Sequence, residues 1–393
     1  MSLVFEDGKL SFRVLSVACA ALVFAACADA AGPTGPVSFA AVSAGGEHTC
    51  GIDAGGAGYC WGSGVMGQLG DGAFGASAVP RSIQLQTGLV SIAAGYGHTC
   101  GIAQEQHVWC WGWNLRGQLG NASTVGQGAP IRADTELRFQ QVSSGWFHTC
   151  ALTLAGDAYC WGGNGQGQLG DGTTSERLVP TRVLGGLKFT SVAAGGFHSC
   201  GVTTTGELYC WGLNNEGQLG TGTVENEYRP TRAASEVVYA HVNVGYSHSC
   251  ALDRQGKPWC WGSNAEGELG VAFASSPGVP GSMTPAAVID VGGGFIDIAA
   301  GLAFTCVVAS GGGGWCWGRG EDGQLGTGAY RSWVVRQPVA DVPDFAGIST
   351  GYGTHACGVS RQGVVLCWGR GQNGQLGNRS AASPLPVRVH GVT

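Results

Sequence analysis

Residues 189–222 read FTSVAAGGFHSCGVTTTGELYCWGLNNEGQLGTG. Phe189, Ser191 and Ala193 alternate with Thr190, Val192 and Ala194, a two-residue period that predicts a short strand ending at Gly195-Gly196. Two more short runs follow, 198–203 and 207–211, separated by a turn that carries Gly206. No apolar set recurs at helical spacing, so the stretch reads as strands joined by tight turns.

The same stretch recurs along the chain. Cysteines stand at 50, 100, 150, 200 and 250, and two further copies place theirs at 306 and 357. Each is followed ten positions later by a second cysteine and then by Trp-Gly, from Cys60-Trp61-Gly62 to Cys367-Trp368-Gly369. A Gly-Gln-Leu-Gly tetrad follows in six copies, and copy five has Gly267-Glu268-Leu269-Gly270. A proline-led run such as PTRV at 180–183 usually closes the unit. The copies span approximately 39–88, 89–137, 138–187, 188–237, 238–294, 295–345 and 346–393. A unit of about fifty residues with three or four short strands is a propeller blade that must stack on its neighbours to cover its faces. The fold expected is all-β, a seven-bladed β-propeller.

Composition agrees with an array. The 393 residues include 72 Gly, 16 Cys and 13 Trp, with 44% apolar and only 12% charged residues. Such apolar content excludes disorder, and the glycine lacks the three-residue period of collagen. Lys+Arg at 20 against Asp+Glu at 26 gives a net charge of −6 without a basic run. Nucleic acid is therefore not an expected partner.

Units carrying Gly-x-x-His-[Ser/Thr], a hairpin, Trp-Gly and Gly-Gln-Leu-Gly resemble the regulator of chromosome condensation repeat. The motif stands at 45–49, 95–99, 145–149, 195–199 and 245–249; copy six has Phe304 in place of His, and copy seven is one residue longer before His355-Ala356. The resemblance implies the same seven-bladed fold and says little about function. The family's founding activity is guanine-nucleotide exchange.

The cysteine spacing carries its own geometry. If Leu154-Ala155-Gly156 form a three-residue hairpin loop, Gly156 takes a left-handed conformation. Pairing then brings Thr153 to Asp157, Leu152 to Ala158, Ala151 to Tyr159 and Cys150 to Cys160. The last falls on a non-hydrogen-bonded pair, where α-carbons approach to about 4.5 Å, close enough for a disulfide. The same reading pairs Cys50 with Cys60, Cys100 with Cys110, Cys200 with Cys210, Cys250 with Cys260, Cys306 with Cys316, and Cys357 with Cys367. Copy two has Gln106 at the turn glycine's position and must adapt. Zinc would require cysteine knuckles of closer spacing, and reduced buried thiols are the remaining alternative.

At the N-terminus, residues 14–26 read VLSVACAALVFAA after Lys9 and Arg13, a signal-peptide apolar segment too short to span a bilayer. Phe24-Ala25-Ala26-Cys27 resembles a lipobox, with Cys27 as the lipid-bearing residue and 1–27 as the signal segment. Cleavage after Ala28-Asp29-Ala30 is the alternative, and a Cys19 and Cys27 buried in a core helix is a third. Residues 28–38, including AGPTGP, read as a flexible tether. The expected address is the bacterial cell envelope or the extracellular space.

No nucleophile elbow, phosphate loop or zinc-protease motif is present. The recurring histidines at 48, 98, 148, 198, 248 and 355 read as structural, and no metal or other cofactor is expected. Asp71 and Asp171 share a repeat position with Asn121 and Thr221, which suits turn chemistry. Trp113, Trp146, Trp315 and Trp333 read as additions to the repeat, and Arg331 and Arg336 lie near Trp333 in sequence. The candidate partner-binding residues are Trp113, Trp146, Arg331, Trp333 and Arg336, with the lengthened segments 271–294 and 330–344. The function expected is a monomeric, lipid-anchored binding scaffold for a protein partner. A secreted enzyme acting on polysaccharide or peptide, and a nucleotide-exchange factor, are the alternatives.

Overall fold

A computed structural model describes residues 37–271, 281–289, 292–342 and 344–391. The signal segment, Cys27, most of the tether and part of the lengthened segment of copy five lie outside the described residues. Among the described residues there are twenty-eight strands, numbered in chain order, and no helix. They form seven four-stranded sheets, each an antiparallel meander. In the first, β1 (Phe39–Ala44) pairs with β2 (His48–Asp53), then β3 (Gly58–Gly62), then β4 (Ser77–Ser82).

The hairpins have the register that the cysteine spacing predicts. Cys150 faces Cys160, Ala151 faces Tyr159 and Leu152 faces Ala158, and the Thr153 amide donates to Asp157 O at 3.0 Å. Gly156 closes the turn at φ 77°, and Gln106 takes its place in copy two at φ 67°, a conformation non-glycine residues rarely adopt. Each of the seven cysteine pairs is joined by a disulfide, with α-carbons 4.0–4.1 Å apart and both sulfurs fully buried.

Every sheet comes wholly from one repeat, so the ring closes without a shared strand. Between neighbours one and two, the Leu89 amide donates to Gly56 O at 2.8 Å; between seven and one, the Phe39 amide donates to Gly363 O at 2.9 Å. The Val37 amide adds a bond to Gly391 O at 3.0 Å. The seam that joins the chain ends is thus built like the others.

The core lies between blades rather than within them. The repeat tryptophans are fully buried, and each Nε1 donates to the glutamine or glutamate carbonyl of the preceding tetrad, as Trp111 does to Gln68 O at 2.9 Å. Trp61 reaches Gln375 O across the closing seam in the same way. A tetrad thus contributes mainly to its neighbour's packing, which is why an isolated unit cannot satisfy its own core.

Candidate functional site

The first site that the residues build is structural. Nε2 of His48 lies 2.8 Å from Thr99 Oγ1, and that hydroxyl donates to Gln68 O at 3.0 Å. A hydroxyl has one proton, so with it given to the carbonyl the imidazole must be the donor, N–H on Nε2. The same latch joins His98 to Thr149, His148 to Ser199, His198 to Ser249, His248 to Thr305 and His355 to Thr49. Burial holds these imidazoles neutral, at pKa values of about 3 for the first five and about 4 for His355.

Between blades six and seven the latch is replaced on both sides. Phe304 stands where the imidazole would be and Ala356 where the hydroxyl would be; both are fully buried in one apolar cluster. Losing both partners avoids an orphaned buried group, which losing either alone would leave. The same seam has a carboxylate clamp: Asp297 Oδ2 accepts from the Ile348 amide at 2.9 Å and Oδ1 from the Ile298 amide at 2.9 Å. Burial raises the pKa of Asp297 to about 6, and the two backbone donors limit the rise.

Other repeat positions also serve turns. Asp71 and Asp171 accept from the amides two residues on, at 3.1 and 3.0 Å. Glu268 accepts the Glu266 amide at 2.8 Å, as Gln68 does for Met66, so copy five keeps the tetrad's bond with a carboxylate. Among the described residues, no group of three or more His, Cys, Asp or Glu is placed to hold a metal.

The two ends of the ring differ. Among the described residues, the connections between first and second and between third and fourth strands of each meander emerge on one face, and the turns between second and third strands, with the links between blades, emerge on the other. On the first face six half-buried rings run across blades two to five. Trp146 is their hub, with ring centroids 4.8 Å from Tyr96, 4.5 Å from Tyr246, 5.5 Å from Phe147 and 5.7 Å from Phe197. Trp113 joins through Phe147 at 5.2 Å. Blade four supplies Gly196 beneath this contact, where an added Cβ would lie 2.8 Å from the Tyr246 ring. Beside the ridge is a cleft of about 200 Å³ lined by Phe147, Phe197, Gly163, Gln166, Arg116 and Glu176.

Tyr352 of copy seven holds the ridge position but turns inward. Its hydroxyl donates to the Ala194 carbonyl of blade four, across the polar central channel lined by Ser43, Ser143, Asn243 and Ser349. Burial raises its pKa.

The sequence candidates divide accordingly. Trp113 and Trp146 come together in the ridge, joined by Tyr96, Phe147, Phe197 and Tyr246, which sequence reasoning passed over. The missed signal was positional: at least one of the two variable residues of Gly-x-x-His is aromatic in each of copies two to five. Arg331, Trp333 and Arg336 lie on blade six and do not form one cluster. Arg331 stacks 3.6 Å over Trp333, while Arg336 lies 5.6 Å over Trp315. The two tryptophans pack against different core clusters, Trp333 toward blade seven and Trp315 toward blade five. Trp315 also faces Val307 as Tyr59 faces Gly51 and Trp259 faces Ala251, so it belongs to the repeat and not to an addition. Within the lengthened segment, Val271 is core and 282–287 form the outer strand of blade five, so the additional length falls between them.

Seven disulfide-closed blades with buried interblade latches define a repeat β-propeller that carries an aromatic ridge on one face. The RCC1-like domain profile matches residues 26–352, and the chain belongs to that family. Human WBSCR16 superposes with a TM-score of 0.75 at 24% identity, over 84% of this chain and 93% of that one. Prp20p from Saccharomyces cerevisiae, described with its binding to Gsp1p and histones, gives 0.74 at 22% identity, over 90% and 87%. The ectodomain of the Physcomitrella patens receptor kinase CR4 gives 0.54 at 22% identity, over 85% and 74%. These likenesses establish the fold. A search of curated protein sequences returns no match.

Proposed function

We propose that this chain is an exported, lipid-anchored propeller that binds a protein partner through the aromatic ridge of blades two to five. The observation that carries the reading is the ridge itself: six rings from four repeats converge at half-buried positions where the repeat does not require them. Clustered aromatic side chains on a rigid frame are what protein interfaces use as anchors. Seven disulfides suit an oxidising compartment, in agreement with the signal-like N-terminus. A plant receptor ectodomain with the same fold is a precedent for a propeller outside the cytosol. Prp20p is described with Gsp1p, but a cytosolic or nuclear partner of that kind does not fit an oxidised chain, so exchange is not favoured here.

Affinity capture with protein starting after Cys27, followed by mass spectrometry, identifies the partner. Trp146→Ala is then expected to weaken that complex by about 2 kcal/mol or more, the scale of an interface anchor, while leaving the melting temperature within a few degrees. Unchanged affinity removes the ridge from the interface. Cys27→Ser in the producing cell is expected to move the protein from the membrane to the soluble fraction and abolish incorporation of labelled fatty acid. Membrane retention without that cysteine overturns the anchor.

A further inference from the structure

Both ends of the described chain stand on one face of the ring. Phe39 opens β1, and its amide donates at 2.9 Å to Gly363 O, in the turn between β26 (His355–Ser360) and β27 (Val365–Arg370). Two residues earlier, the Val37 amide donates at 3.0 Å to the carbonyl of Gly391, the last described residue. That turn and the links between blades share the face opposite the aromatic ridge. From Phe39 the inner strand β1 runs up to Ala44, and the ridge stands at the far end of such strands.

Cys27, the proposed lipid-bearing residue, precedes Val37 by ten residues. Fully extended, that length of chain spans at most about 35 Å. To bring the ridge against the membrane that holds Cys27, the chain has to pass outward beneath a blade and then up its whole height. The outward leg crosses at least two strand spacings, about 10 Å. An inner strand of six residues adds about 20 Å of height, and the loops of the ridge face still have to be cleared. The central channel gives no shorter route, because the Tyr352 hydroxyl donates to Ala194 O across it. Nearly the whole reach is used in that orientation, whereas the opposite one uses almost none.

We infer that the anchored chain holds its link face toward the membrane and displays the aromatic ridge to the aqueous side, so that the ridge receives a soluble protein domain and not a membrane-embedded one. The height of a blade, about 20 Å, lifts the ridge clear of a headgroup layer of about 5–8 Å on each side of the bilayer. The inference rests on the reading of Cys27 as the anchor and of the ridge as the interface, and it adds the direction from which the partner comes.

The test uses the lipidated mature chain in phosphatidylcholine vesicles with an acceptor dye on the lipid headgroups. A keto amino acid, p-acetylphenylalanine, carries the donor dye in place of one exposed leucine on each face: Leu115, in the ridge-face loop of blade two, or Leu154, in the hairpin turn of blade three. Energy transfer from position 154 is expected to exceed that from 115 about twofold, since the height of a blade, about 20 Å, separates the two levels. Inserting about twenty Gly and Ser residues after Gly35 supplies slack beyond the path around the rim, and the two values are expected to converge. Vesicle flotation of the same samples separates the two readings. A wild-type chain that does not float overturns the anchor and this inference with it. A chain that floats with equal transfer from both positions, or with more from 115, overturns the orientation alone. A difference unchanged by the longer tether overturns reach as its cause.

Discussion

Reduction of the disulfides is expected to unfold this protein at temperatures where the oxidised form is fully native. Each bridge closes a hairpin between cysteines ten residues apart. A loop of that size contributes about 2–3 kcal/mol by restricting the unfolded chain. Seven of them in separate blades sum to roughly 14–21 kcal/mol, even before strain is subtracted, against a net stability of about 5–15 kcal/mol for ordinary domains. Glycine makes the bridges matter more here, since 72 of 393 residues lose unusual backbone freedom on folding. The sulfurs are fully buried, so reductant alone at low temperature should act slowly, through opening of a blade. The check is a thermal or urea melt followed by circular dichroism, with and without prior reduction and alkylation under denaturing conditions. A reduced, alkylated chain that refolds and melts within a few degrees of the oxidised one would show that packing suffices.

Acid is the second large effect. An ordinary histidine titrates near 6.5, whereas the six latch imidazoles are held down to about 3, or about 4 for His355. A depressed folded-state pKa means that the unfolded chain binds the protons first. The latches therefore contribute fully above about pH 6.5, and their contribution falls as the pH drops from there toward 3. Each adds a slope on the order of 1.4 kcal/mol per pH unit within that window. Asp297 works in the opposite sense: its pKa is raised to about 6, so its protonation favours the folded state as the pH falls from 6 toward the ordinary carboxylate value of 3.8. Burial raises the pKa of Glu268 as well, and two carboxylates cannot offset six imidazoles. The urea midpoint should therefore fall steeply between about pH 6 and pH 4, with uptake of several protons on unfolding. A midpoint that is flat across this range would mean that the latch histidines do not remain neutral in the fold.

The blade six–seven seam bears on both the fold and how it is read. Phe304 and Ala356 appear in the sequence as two unrelated departures, one from the histidine and one from the residue after it. Their meaning emerges only when the ring sets each histidine against the Ser or Thr of the next copy, about fifty residues on. The unit visible in the sequence is the repeat, but the unit of polar satisfaction is the junction between repeats. The same displacement explains the tetrads, whose carbonyls serve the next blade's tryptophan.

Trp113 and Trp146 were legible as candidates because they depart from a counted repeat position. Phe147, Phe197, Tyr96 and Tyr246 were not, because aromatic residues within a variable motif look like ordinary packing until their common face is known. Arg331, Trp333 and Arg336 are grouped only in part by their closeness in sequence. Arg331 stacks on Trp333, two residues along the chain, whereas Arg336 lies over Trp315 of the neighbouring strand, a contact that only the sheet creates.

By itself the chain of residues determined what short-range geometry controls. A fifty-residue period, a turn residue able to take positive φ and a ten-residue cysteine spacing are sufficient for hairpins, their register and the number of blades. The tertiary structure alone decided which repeats share their polar groups and which aromatic rings become one surface. Those depend on the angle and order in which whole blades meet, and that is set by closure of the ring, a condition no local stretch of residues contains.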